Sequence, residues 1–222
     1  MKNTKVYLMS TENVKDPRTF ALWKEFLPKE HWEKTVRPLK EEDRKTELAA
    51  WFLLYQALRE WGISEEKINA DGAYYYGEHG KPMRRNEEIC FNLSHSGKYV
   101  LCAVSEMEIG CDIEKIKEVK WKLAKRFFSE KEYDFLVRLG RQEKLMKQGE
   151  TVKSGKTDKQ EKVGKQQNIN RQKEKGKIKE NAYTVEEAFT RFWVLRESYV
   201  KKTGEGLGAC LLYTSPSPRD CS

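Results

Sequence analysis

From Arg141 to Asn181 the chain runs for forty-one residues without an aromatic side chain, and with only six apolar ones. Such a stretch cannot bury enough surface to offset the entropy of ordering it. It is therefore read as a disordered basic insertion, 141–181, between pieces that do fold. The stretch carries thirteen Lys or Arg against six Asp or Glu, while the rest of the chain carries thirty against twenty-nine. The overall charge of +8 is thus almost entirely the insertion's, and the folding parts are nearly neutral. A nucleic-acid-binding surface would more usually place aromatic residues among the basic ones, so nucleic acid is not the expected partner.

The folding parts are rich in aromatic residues, 11% of the whole 222-residue chain, and long enough for one domain or two small ones. No apolar run approaches the ~20 residues that cross a bilayer. The N-terminus leads into four apolar residues only, Val6 to Met9, so no secretory signal is expected. The five cysteines form no Cys-x-x-Cys pair and the three histidines are scattered, which argues against zinc. Reduced thiols in a cytoplasmic protein are expected.

Element signals follow the periodicities of strand and helix. Lys5–Met9 reads as a strand. Glu41–Trp61 reads as a helix, with Leu48, Trp51, Tyr55 and Leu58 on one face and Gly62 closing it. Ala73–Tyr76 reads as a strand, followed by a loop from Gly77 to Pro82. Ile89–Leu93 and Tyr99–Val104 read as strands joined by Ser94-His95-Ser96-Gly97, with Ile109–Ile113 a further strand. Trp121–Phe128 reads as a helix. Ser129 with Glu132 marks the start of the next, through about Leu139, and Thr184 with Glu187 that of a last one to about Thr203. The order is an α+β pattern given twice, the second copy incomplete. The tail 209–222, with Ser-Pro-Ser-Pro, resembles translated cloning sequence more than a domain end. It is set aside as non-native, and the natural protein is expected to be longer.

Three groups carry chemistry. Asp112 and Glu114, two apart on an extended segment, face one side and suit a hard cation such as Mg²⁺; an acidic edge pair in solvent is the plainer alternative. Glu197 and Lys201 share a helix face, four residues apart, as a metal or proton site beside a phosphate site, or as a simple surface ion pair. Ser94-His95-Ser96, taken as a turn, offers donors to a phosphate or is only a solvated hairpin. Gly80-Lys81-Pro82 is a turn with a basic tip.

Together these segments change the reading. Asn92-Leu93-Ser94-His95-Ser96, Gly110-Cys111-Asp112-Ile113-Glu114 and Trp193-Val194-Leu195-Arg196-Glu197-Ser198-Tyr199-Val200-Lys201 stand in an order that closely resembles the 4′-phosphopantetheinyl transferase superfamily, in its surfactin-synthetase-activating (Sfp-like) type. Gly80-Lys81-Pro82 and Lys125-Arg126-Phe127-Phe128-Ser129 match as well. The resemblance covers about residues 20–208, omitting the insertion. Arg196 stands where the family has Lys, Cys111 where it has an aliphatic residue, and the C-terminal strands are missing.

The resemblance implies transfer of 4′-phosphopantetheine from coenzyme A to a serine of an apo carrier protein, acyl, polyketide or peptidyl, releasing adenosine 3′,5′-bisphosphate. It implies Mg²⁺ on Asp112, Glu114 and Glu197, with Glu197 and Lys201 catalytic. Lys81, Ser94 and His95 would hold the 3′-phosphate end of coenzyme A. Lys45 and Thr46, with Arg44 in reserve, would hold its other phosphates. It implies two similar halves, 1–104 and 105–208, each a helix on a small antiparallel sheet with the active site between them, working as a cytoplasmic monomer without a membrane. A non-catalytic carrier-binding remnant and a nucleic-acid binder acting through the insertion are the alternatives; retention of all three carboxylates argues against the first.

Overall fold

The computed structural model describes residues 3–18, 24, 27–77, 80–85, 89–153 and 183–204. The tail 209–222 and most of the basic stretch lie outside them. The chain is mixed helix and small antiparallel sheet, and it divides into two compact units, Met1–Lys115 with Trp193–Ser222, and Ile116–Phe192. No described helix is long and apolar enough to cross a membrane.

The first unit is built on a three-stranded antiparallel sheet: β1 (Thr4–Ser10), β4 (Cys90–Ser96) and β5 (Tyr99–Ser105), in the order β1-β5-β4. The central strand β5 buries Val100, Cys102 and Val104 on one face. Helix α2 (Glu41–Glu60) packs there, with Leu48, Leu54 and Leu58 at 1% exposure or less. Glu41, Glu42 and Asp43 stand in its first turn and Arg59 in its last, which complements the helix dipole. It closes as a Schellman turn: Gly62, at φ +81°, donates to the Arg59 carbonyl and Ile63 to that of Leu58.

Four short elements complete the unit's first stretch. Helix α1 (Lys29–Val36) and the single turn α3 (Glu65–Ile68) join strands β2 (Tyr74–Tyr76) and β3 (Pro82–Arg84), which pair antiparallel. The β2 strand matches the Ala73–Tyr76 expectation; α1 and α3 were not evident from periodicity. Tertiary contacts hold α1. His31 is buried and stacked on Trp51 at 3.6 Å between ring centroids, and the Arg18 guanidinium donates to the Val36 carbonyl at the helix end, at 2.7 and 2.9 Å. Burial, and secondarily the charge of Lys34, hold His31 neutral with a pKa of about 4.

The second unit is helical: α4 (Trp121–Phe127), α5 (Glu130–Lys153) and the first part of α6 (Val185–Thr203), whose remainder belongs to the first unit. Both capping signatures form. The backbone N–H groups of Ser129 and Thr184 donate to the carboxylates of Glu132 and Glu187, and their hydroxyl oxygens accept from the backbone N–H groups of the same two glutamates. Glu143 of α5 takes the Val185 N–H as well. Phe128 lies against Phe189 and Phe192, and Leu136 and Leu139 of α5 are buried. Helix α5 runs well past Leu139, so residues 141–153 of the basic stretch are helical rather than disordered. Lys, Glu, Gln, Arg and Met are good helix formers that need little burial to extend a helix already nucleated.

Candidate functional site

The site grows from an alternation in β4. Residues two apart on a strand share a face, and in β4 the sheet face away from α2 carries Asn92, Ser94 and Ser96. These three small polar side chains take the place of a further strand's backbone. The Cys111 N–H donates to Asn92 Oδ1 (2.8 Å), the Ile113 N–H to Ser94 Oγ (3.3 Å) and the Lys115 N–H to Ser96 Oγ (2.9 Å). The expected strand at Ile109–Ile113 is therefore an extended segment without a backbone ladder, because its acceptors are side-chain oxygens. The expected turn is also revised. Ser94, His95 and Ser96 pair with Leu101, Val100 and Tyr99, and the turn is the two residues Gly97-Lys98, with Gly97 at φ +58°.

The revision separates two residues that sequence had grouped. Ser94 is buried on the segment's side of the sheet, whereas His95 is exposed and belongs to the opposite register. The Ser94 hydroxyl donates to Asp112 Oδ1 at 2.7 Å and that of Ser96 to Glu114 Oε2 at 3.1 Å. Asp112 and Glu114 thus do lie on one side, as their spacing predicts.

Gly110 brings α6 into register with them. A Cβ there would run into the Ser198 carbonyl oxygen and the Lys202 backbone nitrogen, and would come within 2.9 Å of Lys202 Cα. Only glycine permits this approach of two backbones. The approach delivers Lys201, whose Nζ donates to Asp112 Oδ1 (2.6 Å) and Ser94 Oγ (2.8 Å). Glu197 lies one turn earlier. Burial raises its pKa, repulsion from Asp112 and Glu114 adds to the rise, and Lys201 offsets part of it. Cys111, buried beside them, is an inert thiol pushed up to about 11 by desolvation.

Can these residues hold a divalent cation? Among the described residues no three Asp, Glu, His or Cys side chains already stand as a ligand cluster. The fit rests on other observations. Asp112 Oδ2 is buried without a hydrogen-bond partner, an orphaned anionic acceptor that costs free energy as it stands. Glu197 is destabilised as an anion by burial first, and then by the charges of Asp112 and Glu114. Hard oxygen donors with an unmet demand for positive charge suit Mg²⁺.

The other predicted binding residues are dispersed within the same unit. The Lys81 ammonium donates to the carbonyls of Ile109 (3.3 Å) and Lys202 (3.0 Å), tying the segment to the end of α6; burial lowers its pKa. It lines a cavity of about 530 Å³ with Met83, Cys90, Met107 and Lys202. Lys45 pairs with Glu41 one turn earlier on α2, and Thr46 is half-buried beside it. Arg44, the reserve candidate, is an internal clasp: it grips both oxygens of Asp16 and donates to the carbonyls of Pro38 and Leu39. Ser96, which the sequence groups with Ser94 and His95 as a phosphate donor, holds Glu114 and the Lys115 backbone instead; its period-two spacing from Asn92 and Ser94 was the available signal.

No family model matches the chain. Curated proteins do. 4′-Phosphopantetheinyl transferase Sfp of Bacillus subtilis is 44% identical over 68 residues, 30% of this chain and 30% of that protein. 4′-Phosphopantetheinyl transferase gsp of Aneurinibacillus migulanus is 48% identical over 59 residues, 27% of this chain and 24% of that protein. A further 4′-phosphopantetheinyl transferase of Bacillus subtilis is 36% identical over 98 residues, 44% of this chain and 42% of that protein. In its aligned segments the chain resembles Sfp-type 4′-phosphopantetheinyl transferases, and it spans between about a quarter and somewhat under half the length of these relatives.

Proposed function

We propose that the protein is a 4′-phosphopantetheinyl transferase, a holo-[acyl-carrier-protein] synthase acting on an apo acyl, polyketide or peptidyl carrier protein with coenzyme A as donor. The observation that carries this reading is the joining of Ser94, Asp112 and Lys201, one from each of the three sequence stretches, through hydrogen bonds of 2.6–2.8 Å. The named relatives support it over the aligned segments.

The reaction forms a bond from the carrier serine oxygen to the β-phosphorus of coenzyme A and breaks the bond from that phosphorus to the bridging oxygen. Adenosine 3′,5′-bisphosphate leaves with the electron pair. Positioning and charge neutralisation supply most of the rate in such transfers. Glu197, whose burial and anionic neighbours favour a bound proton, accepts the serine proton. Lys201 neutralises charge on the phosphates. Asp112, Glu114 and Glu197 would hold Mg²⁺, which when bound stabilises the pyrophosphate charge by several kcal/mol of barrier. Lys81 and His95 bind the 3′-phosphate end, and Lys45 with Thr46 the remaining phosphates. Ser94 serves from the carboxylate side. With this reading come the two-half plan, 1–104 and 105–208 with the active site between them, and action as a monomer in the cytoplasm.

The test is incubation with an apo carrier protein, coenzyme A and Mg²⁺, followed by mass measurement of the carrier. Gain of one phosphopantetheine on its serine, lost in EDTA and restored by Mg²⁺, is the expected result. An unchanged carrier at stoichiometric enzyme would overturn the reading.

A further inference from the structure

We infer that Ser96 is a positioning residue that aims Glu114 at the cation, in parallel with what Ser94 does for Asp112. The inference rests on the proposed cation site and concerns how that site is built.

The direction of each hydrogen bond follows from the inventory of a hydroxyl, one donor and two acceptor positions. A backbone N–H can only donate. Ser96 Oγ must therefore accept from Lys115 N at 2.9 Å, which leaves its single proton for Glu114 Oε2 at 3.1 Å. Ser94 repeats the pattern one step along the strand: it accepts from Ile113 N and Lys201 Nζ, and its proton goes to Asp112 Oδ1. Each serine thus holds the backbone of residue n+1 and the carboxylate of residue n, at n = 112 and n = 114. Asn92 continues the row but grips only backbone, the N–H of Cys111. The row is a comb of three teeth, two of which, Ser94 and Ser96, fix carboxylates as well as chain.

The comb has an energetic reason. An extended segment lying over a sheet face has no ladder to fix its register, and a one-residue slip would turn Asp112 and Glu114 away. Three side-chain acceptors at period two permit one register only. A hydroxyl bonded to an ionised carboxylate also limits its rotation, so less freedom is lost when it takes up an ion. Removing such a partner of a ligating group typically weakens metal binding about 10–100-fold.

Ser96 is half-exposed and Lys115 exposed, so water can replace the backbone bond in Ser96→Ala and the fold should persist. The experiment titrates the full chain, Ser96→Ala, Ser96→Thr and Glu114→Ala with Mn²⁺ alone, read by the paramagnetic resonance signal of the free ion, with thermal unfolding of each. Ser96→Ala should bind Mn²⁺ about tenfold more weakly with little change in melting temperature. Ser96→Thr, which keeps the hydroxyl, should bind within about twofold of the parent. Parent-like binding by Ser96→Ala, equal loss in a folded Ser96→Thr, or absence of Mn²⁺ binding to the parent would each overturn the inference. If the parent binds Mn²⁺ through Glu114 and the serine variants behave as stated, yet no carrier is modified, the proposed function falls and the positioning role stands.

Discussion

The first turns of α2 and the last turns of α6 are both densely charged, and both looked like phosphate sites from their sequence. The structure treats them differently. In α2, Lys45 is paired with Glu41 and Arg44 is closed around Asp16. These charges are met by neighbours that help to build the fold. In α6, Lys201 bonds groups from two distant stretches, Ser94 at 107 residues' separation and Asp112 at 89, and Glu197 feels the charges of Asp112 and Glu114. There the charge balance is unfinished, with Asp112 Oδ2 orphaned and Glu197 pushed toward protonation. A charged group whose demands are satisfied locally holds the fold, as Arg44 does, or adds a binding contact at most, as Lys45 does. One whose demands are left open by residues brought from afar is where chemistry is expected.

Substitutions should separate the two regions. The largest effect is expected for Glu197→Gln and Glu114→Gln. Each should lower the transfer rate by ~10³-fold or more, corresponding to ~4 kcal/mol of lost charge stabilisation, with the melting temperature unchanged within a few degrees. Stopped-assay rates and thermal unfolding of the same preparations would show it; a near-parental rate in both variants would remove the carboxylates from the site.

Next is Gly110→Ala. The added methyl group meets the α6 backbone rather than a flexible side chain, so the segment and the helix must part. The cost is about 2–3 kcal/mol, a fall of roughly 5–10 °C in melting temperature for a chain of this size. Transfer should be lost with it, since Lys201 and Asp112 separate. A parental melting curve would show that the two backbones have room to spare.

A smaller effect belongs to the architectural region around α1 and α2. His31 has a folded pKa of about 4 against an ordinary value of 6.5, so the unfolded chain binds its proton more readily. The stabilisation is fully present above pH 6.5 and is lost as pH falls toward 4, amounting to about 2 kcal/mol over that window. Asp16, held at about 2 by the Arg44 guanidinium, adds a loss in the same direction below pH 4. Denaturant unfolding at pH 7 and pH 4.5 should show the first difference, and His31→Phe, which keeps an aromatic ring on Trp51, should reduce it. An equal pH dependence in that variant would assign the acid sensitivity elsewhere.

Much of this arrangement could be read from local pattern. The apolar face of α2, the two capping boxes and the strands β1, β4 and β5 are short-range signals, and they correspond to the described elements. What escaped depends on distant partners. Helix α1 has no clear periodicity and exists because His31 finds Trp51 and Arg18 finds its C-terminus. Ser-His-Ser-Gly has the composition of a turn, but pairing with Tyr99, Val100 and Leu101 carries β4 through Ser96. Extension of α5 past Leu139 reflects helix propensity in a region judged by its lack of burial. Arg44 could not be distinguished from a ligand-binding arginine until Asp16 was seen beside it. The motif residues themselves were evident, but the comb that joins them was not, because side chains acting as a strand partner leave no periodic trace in the segment they hold.

The contrast between α2 and α6 is tested most directly by single-turnover transfer to one apo carrier, with Asp112→Asn and Lys45→Ala measured side by side over a range of coenzyme A concentrations. The account predicts that Asp112→Asn loses about 10³-fold in the maximal rate whatever the coenzyme A concentration. Lys45→Ala should keep its maximal rate and require only severalfold more coenzyme A, as expected for a contact made equally in ground and transition states. A maximal rate that collapses in Lys45→Ala and survives in Asp112→Asn would place the chemistry at α2 and contradict the account.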